Sequence, residues 1–354
     1  MTEGGIFTIL DNCLNQIEIY NKALNYEIVA LVADKSRFNY ENITYIEFPK
    51  SKKNWLFRLY YEYFYFKKLS KKLKPEIWLS LHDISPNIIS KKRFVYCHNP
   101  NIFYKPSFHE WRLDPKMGIF YLFYSYLYKK NIKKNQAVFV QQNWIKTEFE
   151  NRFKLDNVQV SKPIIEIEYS EEKLILDNSK IHFFYPSFPR TFKNFEIIYE
   201  AMNYLKPDVL EKINIHLTLD EKYANKYTKH LLRKYGNHKN IILTGLLTKN
   251  QMLNYYDSID CLIFPSKLET WGLPISEAKF YKKPIFLAKL EYAKETIGDY
   301  ENVSFFDIDN PQELAQLITY FVNKQIVFQG NIAIKNEQKS LNGWFELFDY
   351  IIKS

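Results

Sequence analysis

The residues best suited to chemistry lie in one run, Phe264–Pro284, which reads FPSKLETWGLPISEAKFYKKP. Two carboxylates, Glu269 and Glu277, flank Gly272, Leu273 and Pro274. Pro274 marks the first helical position, which proline favours. Glu269 then falls in the preceding loop and Glu277 in the first helical turn. The amides of Trp271, Gly272 and Leu273 stand just ahead of a helix N-terminus, a ready site for an anion. Gly272 lets the backbone come close to a ligand. Taken singly, a glutamate in a first turn is what the helix dipole favours anyway, and a loop glutamate is ordinarily solvated.

A second run, Tyr185–Ala201 (YPSFPRTFKNFEIIYEA), offers the opposite charge. A strand ends at Tyr185, a polar turn holds Ser187, and a helix starts near Lys193. Arg190 and Lys193 are three apart, so both cations lie on one side of the first turn. Two cations beside a helix N-terminus outline a clamp for a diphosphate. In isolation the same spacing describes two exposed surface cations.

Together these runs resemble the retaining glycosyltransferases of family 4, the group-1 type. That family's pattern is roughly E-G-F-G-L-P-x-x-E-A followed by a G-K/R-P turn. Glu269, Gly272, Leu273, Pro274, Glu277 and Ala278 match it, while Thr270, Trp271 and Lys282 depart from it. The family's second domain opens with a strand, a small-residue turn, Arg, and Lys-Asn before a helix; Ser187, Arg190 and Lys193-Asn194 stand there. Gly245 falls where the family has a glycine after a strand. The likeness is good over about Ile181–Asp307 and looser over residues 1–175.

The resemblance implies an α/β fold of two Rossmann-like domains facing each other across a cleft (the GT-B architecture), with parallel sheets. It implies a nucleotide-diphosphate sugar as donor, and a glycan or lipid-diphosphate-linked acceptor, as in bacterial surface polysaccharide synthesis. Glu277 would accept hydrogen bonds from the ribose hydroxyls. The amides near Gly272 and Leu273, with Arg190 and Lys193, would hold the diphosphate, and Glu269 would meet hydroxyls of the sugar. His98, in the run Tyr96–Pro100 at the end of a strand, resembles the residue that contacts the donor sugar from the first domain. Gly4 and Gly5 resemble the family's phosphate loop, although the strand expected ahead of them is missing. Retention of configuration is carried over from the family. So is a front-face reaction in which the leaving phosphate takes the acceptor's proton, with no metal and no cofactor. A non-catalytic nucleotide-sugar-binding subunit of the same fold is the alternative reading.

The elements around these residues alternate. Strands are expected at 26–33, 43–48, 76–81, 94–97, 137–141 and 158–162, with helices at 7–24, 54–74, 117–133 and 144–153. After a polar linker at 169–180 the pattern restarts. Strands are expected at 181–185, 213–219, 241–243, 261–264 and 284–287, with helices at 195–205, 227–235, 250–258, 274–281 and 311–323. Strands separated by helices imply parallel sheets. The expected domains are 1–170, on the acceptor side, and 171–335, binding the donor. A last helix in 336–354 is expected to pack back on the first domain.

Length and composition set the remaining bounds. At 354 residues the chain exceeds what one core usually organises. Of its charge of +9, residues 1–175 carry 27 Lys+Arg against 19 Asp+Glu, so the first half needs an anionic partner. No nucleic-acid-binding signature is present, and none is expected as partner. The runs Trp55–Phe66 and Ile119–Tyr128 are crowded with aromatics and followed by lysines. They read either as core faces with solvated lysine ends or as a surface for an anionic membrane. No apolar stretch is long enough to span a bilayer. The start lacks a signal-peptide pattern, and Cys13, Cys97 and Cys261 form no disulfide framework or zinc pattern. A cytoplasmic protein, peripheral at the membrane's inner face, is the resulting expectation.

Overall fold

A computed structural model describes residues 5–164, 167–170, 172–236, 238–332 and 340–354. The chain divides into two compact units. One comprises Met1–Ile102, Leu122–Ile164 and Glu337–Ser354; the other comprises Phe103–Tyr121 and Ile165–Asn336.

The strands of the first unit are β1 (Ile28–Val32), β2 (Ile43–Glu47), β3 (Ile77–Ser80), β4 (Lys92–Cys97), β5 (Ala137–Val140) and β6 (Val158–Lys162). Those of the second are β7 (Ile181–Tyr185), β8 (Ile213–Leu217), β9 (Ile241–Leu243), β10 (Cys261–Phe264), β11 (Ile285–Ala288) and β12 (Val303–Phe306). The two-residue strand β13 (Leu341–Asn342) belongs to the first unit again. Its five-stranded sheet has the order β13-β6-β5-β4-β3, and β1 and β2 pair with each other as a separate sheet. All these pairings are parallel.

Continuous apolar runs explain the central strands. AVFV in β5, CLIF in β10 and IFLA in β11 are buried at every position, as strands covered on both faces must be. The helix Gly343–Lys353 carries Trp344, Leu347, Phe348 and Ile351, a stripe at helical spacing. That stripe packs on Cys13, Phe94, Tyr96 and Phe139 of the first unit.

Several local expectations need correction. The helix expected over 54–74 is interrupted: α-helical turns at Trp55–Tyr60 and Phe66–Leu73 enclose a π-helical turn, Tyr61–Tyr65. The helix expected over 117–133 runs Pro115–Lys129, because Asn131 takes a left-handed conformation (φ 65°) and stops it. Helix Leu273–Phe280 begins one residue before Pro274, so Glu277 sits beyond the first turn and the dipole argument for it lapses. Strand β12 and the helices Phe108–Leu113 and Glu291–Ile297 were not anticipated. Gly5 opens the helix Gly5–Asn21, while Gly4 lies outside the described residues.

Candidate active site

The second unit's sheet has the order β12-β11-β10-β7-β8-β9, all parallel. The chain runs outward one way from β7 through β8 to β9. It runs the other way from β10 through β11 to β12. The reversal lies between the neighbours β7 and β10, and ligands of such sheets bind beyond the strand ends at that point.

Both charged runs leave the sheet there. Residues 186–194 follow β7, and residues 265–272 follow β10. The two loops are tied by a backbone bond from the Lys267 amide to the Phe192 carbonyl, 2.8 Å. The Tyr185 hydroxyl, itself buried, donates to the Lys193 carbonyl at 2.7 Å. Parallel pairing of β7 and β10 thus brings Lys193 and Glu269, 76 residues apart, into a direct ion pair. The pair is largely enclosed, with side chains 16% and 14% exposed.

Arg190 stands at the start of the 3-10 turn Thr191–Lys193, and its Nε lies 3.2 Å from Oδ2 of Asp114. Asn194 follows in a left-handed conformation (φ 55°), its side-chain amide donating to the Ile308 carbonyl at 2.9 Å. The turn at Ser187 is fixed by Thr218. The Ser187 amide donates to the Thr218 hydroxyl at 2.7 Å, and that hydroxyl donates back to the Ser187 carbonyl at 2.8 Å.

Gly272 precedes the helix Leu273–Phe280 with φ +79°. A Cβ added there would lie 2.9 Å from Cδ1 of Ile275, so the position needs glycine for conformation and for space. At that helix start Pro274 has no amide hydrogen, and the Ile275 amide donates to the Gly272 carbonyl at 2.9 Å. The Trp271 indole donates to the Ser276 hydroxyl at 3.1 Å, bracing the loop against the helix.

Glu277 is set one turn further along. Burial pushes its carboxyl above the usual carboxylate range, and the Tyr256 hydroxyl and Lys249 offset that only in part. A group whose native pKa is raised favours folding at low pH and loses that contribution as pH rises through the native value. Replacing Glu277 by glutamine should therefore stabilise the protein at neutral pH by about 1 kcal/mol, a rise of about 2–4 °C in Tm. The gap between variant and wild-type melting curves should close on acidification. A gap that stayed constant from about pH 4 to pH 8 would contradict this.

The remaining candidates lie elsewhere. Gly245 (φ +69°) follows β9 and lines a cavity of about 630 Å³ with Asp220 and Thr244; no other candidate residue lines it. His98 belongs to the first unit, at the end of β4, with a side chain only 1% exposed. Asp83 holds the chain there by accepting from the amides of His98 (2.8 Å) and Asn99 (3.1 Å). Burial lowers the His98 pKa more than Asp83 raises it, so the imidazole is neutral at pH 7. Among the described residues no group of three or more His, Cys, Asp or Glu side chains is arranged to hold a metal ion.

Three residues at this site were missed by sequence reading: Lys267, Glu110 and Asp114. Lys267 Nζ lies 3.4 Å from Oε1 of Glu110. Glu110 and Asp114 come from Phe103–Tyr121, a stretch that precedes the second unit in sequence yet packs within it. Burial alone would raise the Glu110 pKa. Bonds from the Tyr104 hydroxyl and the Ser107 amide, with Lys267 nearby, outweigh it and hold the carboxyl below its usual range. The capping box formed by Ser107 and Glu110 was a readable signal for the helix that carries them.

Cation–carboxylate pairs and a helix start thus meet at the switch point of a parallel sheet, where ligands of such sheets bind. Residues 166–339, just under half of the chain, match the family described as glycosyl transferases group 1. No curated protein matches the chain. Among solved structures, WaaG, a glycosyltransferase involved in lipopolysaccharide biosynthesis, aligns with TM-score 0.64 at 11% identity, covering 92% of this chain and 90% of its own. Anabaena Alr3699/HepE, solved in complex with UDP-glucose, aligns with TM-score 0.58 at 14% identity over 92% and 88%. TarM aligns with TM-score 0.55 at 17% identity over 73% of this chain, which spans only 51% of TarM. These likenesses give the fold, that of the GT-B glycosyltransferases.

Proposed function

We propose that the protein transfers a sugar from a nucleotide-diphosphate donor to a glycan or lipid-diphosphate-linked acceptor, with retention of configuration. The observation that carries this reading is the enclosed Lys193–Glu269 pair at the sheet's switch point, with Arg190 on the same turn. As the sugar–phosphate bond breaks, negative charge gathers on the diphosphate. Arg190, Lys193 and the amides at Gly272 and Leu273 are the preorganised groups that stabilise it. The leaving phosphate takes the acceptor's proton, so the step calls for no metal or cofactor. Glu269 holds hydroxyls of the sugar, and Glu277 holds the ribose.

Complexes of similar proteins support the ligand class: HepE with UDP-glucose, and a variant of S. aureus TarM with Fondaparinux, alpha-GlcNAc-glycerol and UDP. The test is a thermal-shift screen of UDP, GDP, ADP, CDP and dTDP sugars, followed by a transfer assay with the stabilising donor. A true donor raises Tm by mass action. No stabilisation by any nucleotide sugar would end this reading. Stabilisation without turnover on any glycan or lipid-linked acceptor would favour a non-catalytic binding subunit.

The same reading places the enzyme at the inner face of an anionic membrane, in surface polysaccharide synthesis. The two aromatic runs support it. Leu56 (77%), Phe64 (70%), Phe123 (65%) and Tyr126 (69%) are strongly exposed. Their helices touch through an edge contact of Trp55 with Tyr124 (5.3 Å) and through Lys130 over the Tyr63 ring (3.9 Å). Apolar side chains beside lysines match an anionic bilayer in both polarity and charge. No helix among the described residues is long and apolar enough to cross a membrane. The protein should co-sediment with phosphatidylglycerol vesicles but not with phosphatidylcholine vesicles. The Leu56→Ser, Phe64→Ser, Phe123→Ser variant should lose most of that binding. Equal binding to both vesicle types would contradict the assignment.

A further inference from the structure

Around the candidate diphosphate site Lys193 pairs with Glu269, Lys267 with Glu110, and Arg190 with Asp114. A diphosphate would therefore enter a site whose positive charge is spent on internal anions, and two of these three anions come from one segment, Phe103–Tyr121.

The two strap carboxylates are held differently. Glu110 is fixed by its own segment: the Ser107 amide donates to its Oε2 at 2.8 Å, and the Tyr104 hydroxyl donates to its Oε1 at 2.5 Å. Among the described residues Asp114 Oδ2 has no such support. That oxygen is buried and accepts no well-directed hydrogen bond, and the Arg190 Nε at 3.2 Å is its close cation. A buried carboxylate oxygen so poorly satisfied has little to lose on release. The strap has other ties within the second unit. Lys226 donates to the Arg112 carbonyl at 2.5 Å, the rings of His109 and His230 meet at 5.0 Å, and Tyr104 approaches Phe192 at 6.2 Å.

We propose that Phe103–Tyr121 is a built-in counter-anion: Asp114, with Glu110 beside it, stands in for the donor's diphosphate on Arg190 and Lys267, and an incoming diphosphate displaces Asp114 and loosens the strap. This rests on the diphosphate reading of Arg190 and Lys193. It goes beyond that reading in making donor binding and strap release a single exchange, with reciprocal coupling.

Inorganic pyrophosphate is the probe, because it carries the anion without a base or sugar. Calorimetry on the full chain should show Asp114→Asn binding pyrophosphate about five- to tenfold more tightly than wild type. Glu110→Gln, which keeps the capping box, should tighten it further when combined. Glu301→Gln, which removes an exposed carboxylate unpaired with these cations, is the control and should leave affinity within about twofold. Independently of any variant, saturating pyrophosphate should speed hydrogen exchange across 103–121 in the wild type.

Unchanged or weaker binding by Asp114→Asn overturns the proposal. So does exchange across 103–121 that stays constant or slows, and so does a wild type that binds no pyrophosphate. If pyrophosphate binds and loosens the strap while none of UDP, GDP, ADP, CDP or dTDP binds more tightly than pyrophosphate, the strap stands and the nucleotide-sugar reading falls.

Discussion

Replacing Lys193 with alanine is expected to lower sugar transfer by about 10²–10³-fold, the usual cost of removing one preorganised charge contact from a transition state. The loss should fall mainly on kcat, because charge on the leaving diphosphate peaks as the bond breaks. The structure adds a second consequence. Glu269, 14% exposed, would lose its ion-pair partner, and a carboxylate left alone in that enclosure costs about 1–3 kcal/mol. A lowered Tm should therefore accompany the lost activity. Adding Glu269→Gln to Lys193→Ala should restore most of the Tm and none of the turnover. Steady-state kinetics and melting curves of the single and double variants decide the matter. A single variant with wild-type turnover would remove Lys193 from the diphosphate site.

Gly272→Ala should act through the backbone. The residue has φ +79°, and its new Cβ would come within 2.9 Å of the Ile275 Cδ1. The left-handed conformation alone costs an alanine about 1–2 kcal/mol. The Ile275 side chain end can shift, so collapse of the fold is not expected. Relief comes instead from rotating the start of helix Leu273–Phe280, which carries the amides assigned to the diphosphate and, one turn on, Glu277. Nucleotide affinity should weaken by about tenfold or more, since small misplacements of a preorganised site are costly. An alanine variant with unaltered nucleotide Kd would show that these amides do not touch the ligand.

Much of this site was legible because its parts obey local rules. Strand–loop–helix patterns located both charged runs, and the glycine at 272 is required by its backbone angle. The pairing of Lys193 with Glu269 follows once β7 and β10 are neighbours. What escaped was long-range. Nothing near Arg190 in sequence points to Asp114, 76 positions earlier. The fold alone decides that the stretch after β4 packs with the second unit. The break at Tyr61–Tyr65 was hidden too, because aromatic and lysine residues look alike to a helical periodicity whether the ladder is α or π. The position of Glu277 was misjudged because proline is tolerated at either of the first two helical positions.

The partition of the chain has a mechanical corollary. Its covalent path passes from one unit to the other at residues 102/103, 121/122, 164/165 and 336/337. The crossing at 121/122 falls within the helix Pro115–Lys129, so the two units share one continuous helix. A single proteolytic nick cannot release either half intact, and no contiguous fragment holds all of one unit without part of the other. Unfolding of the two halves should accordingly be coupled, with one thermal transition where a single-hinged protein of this size would be free to show two.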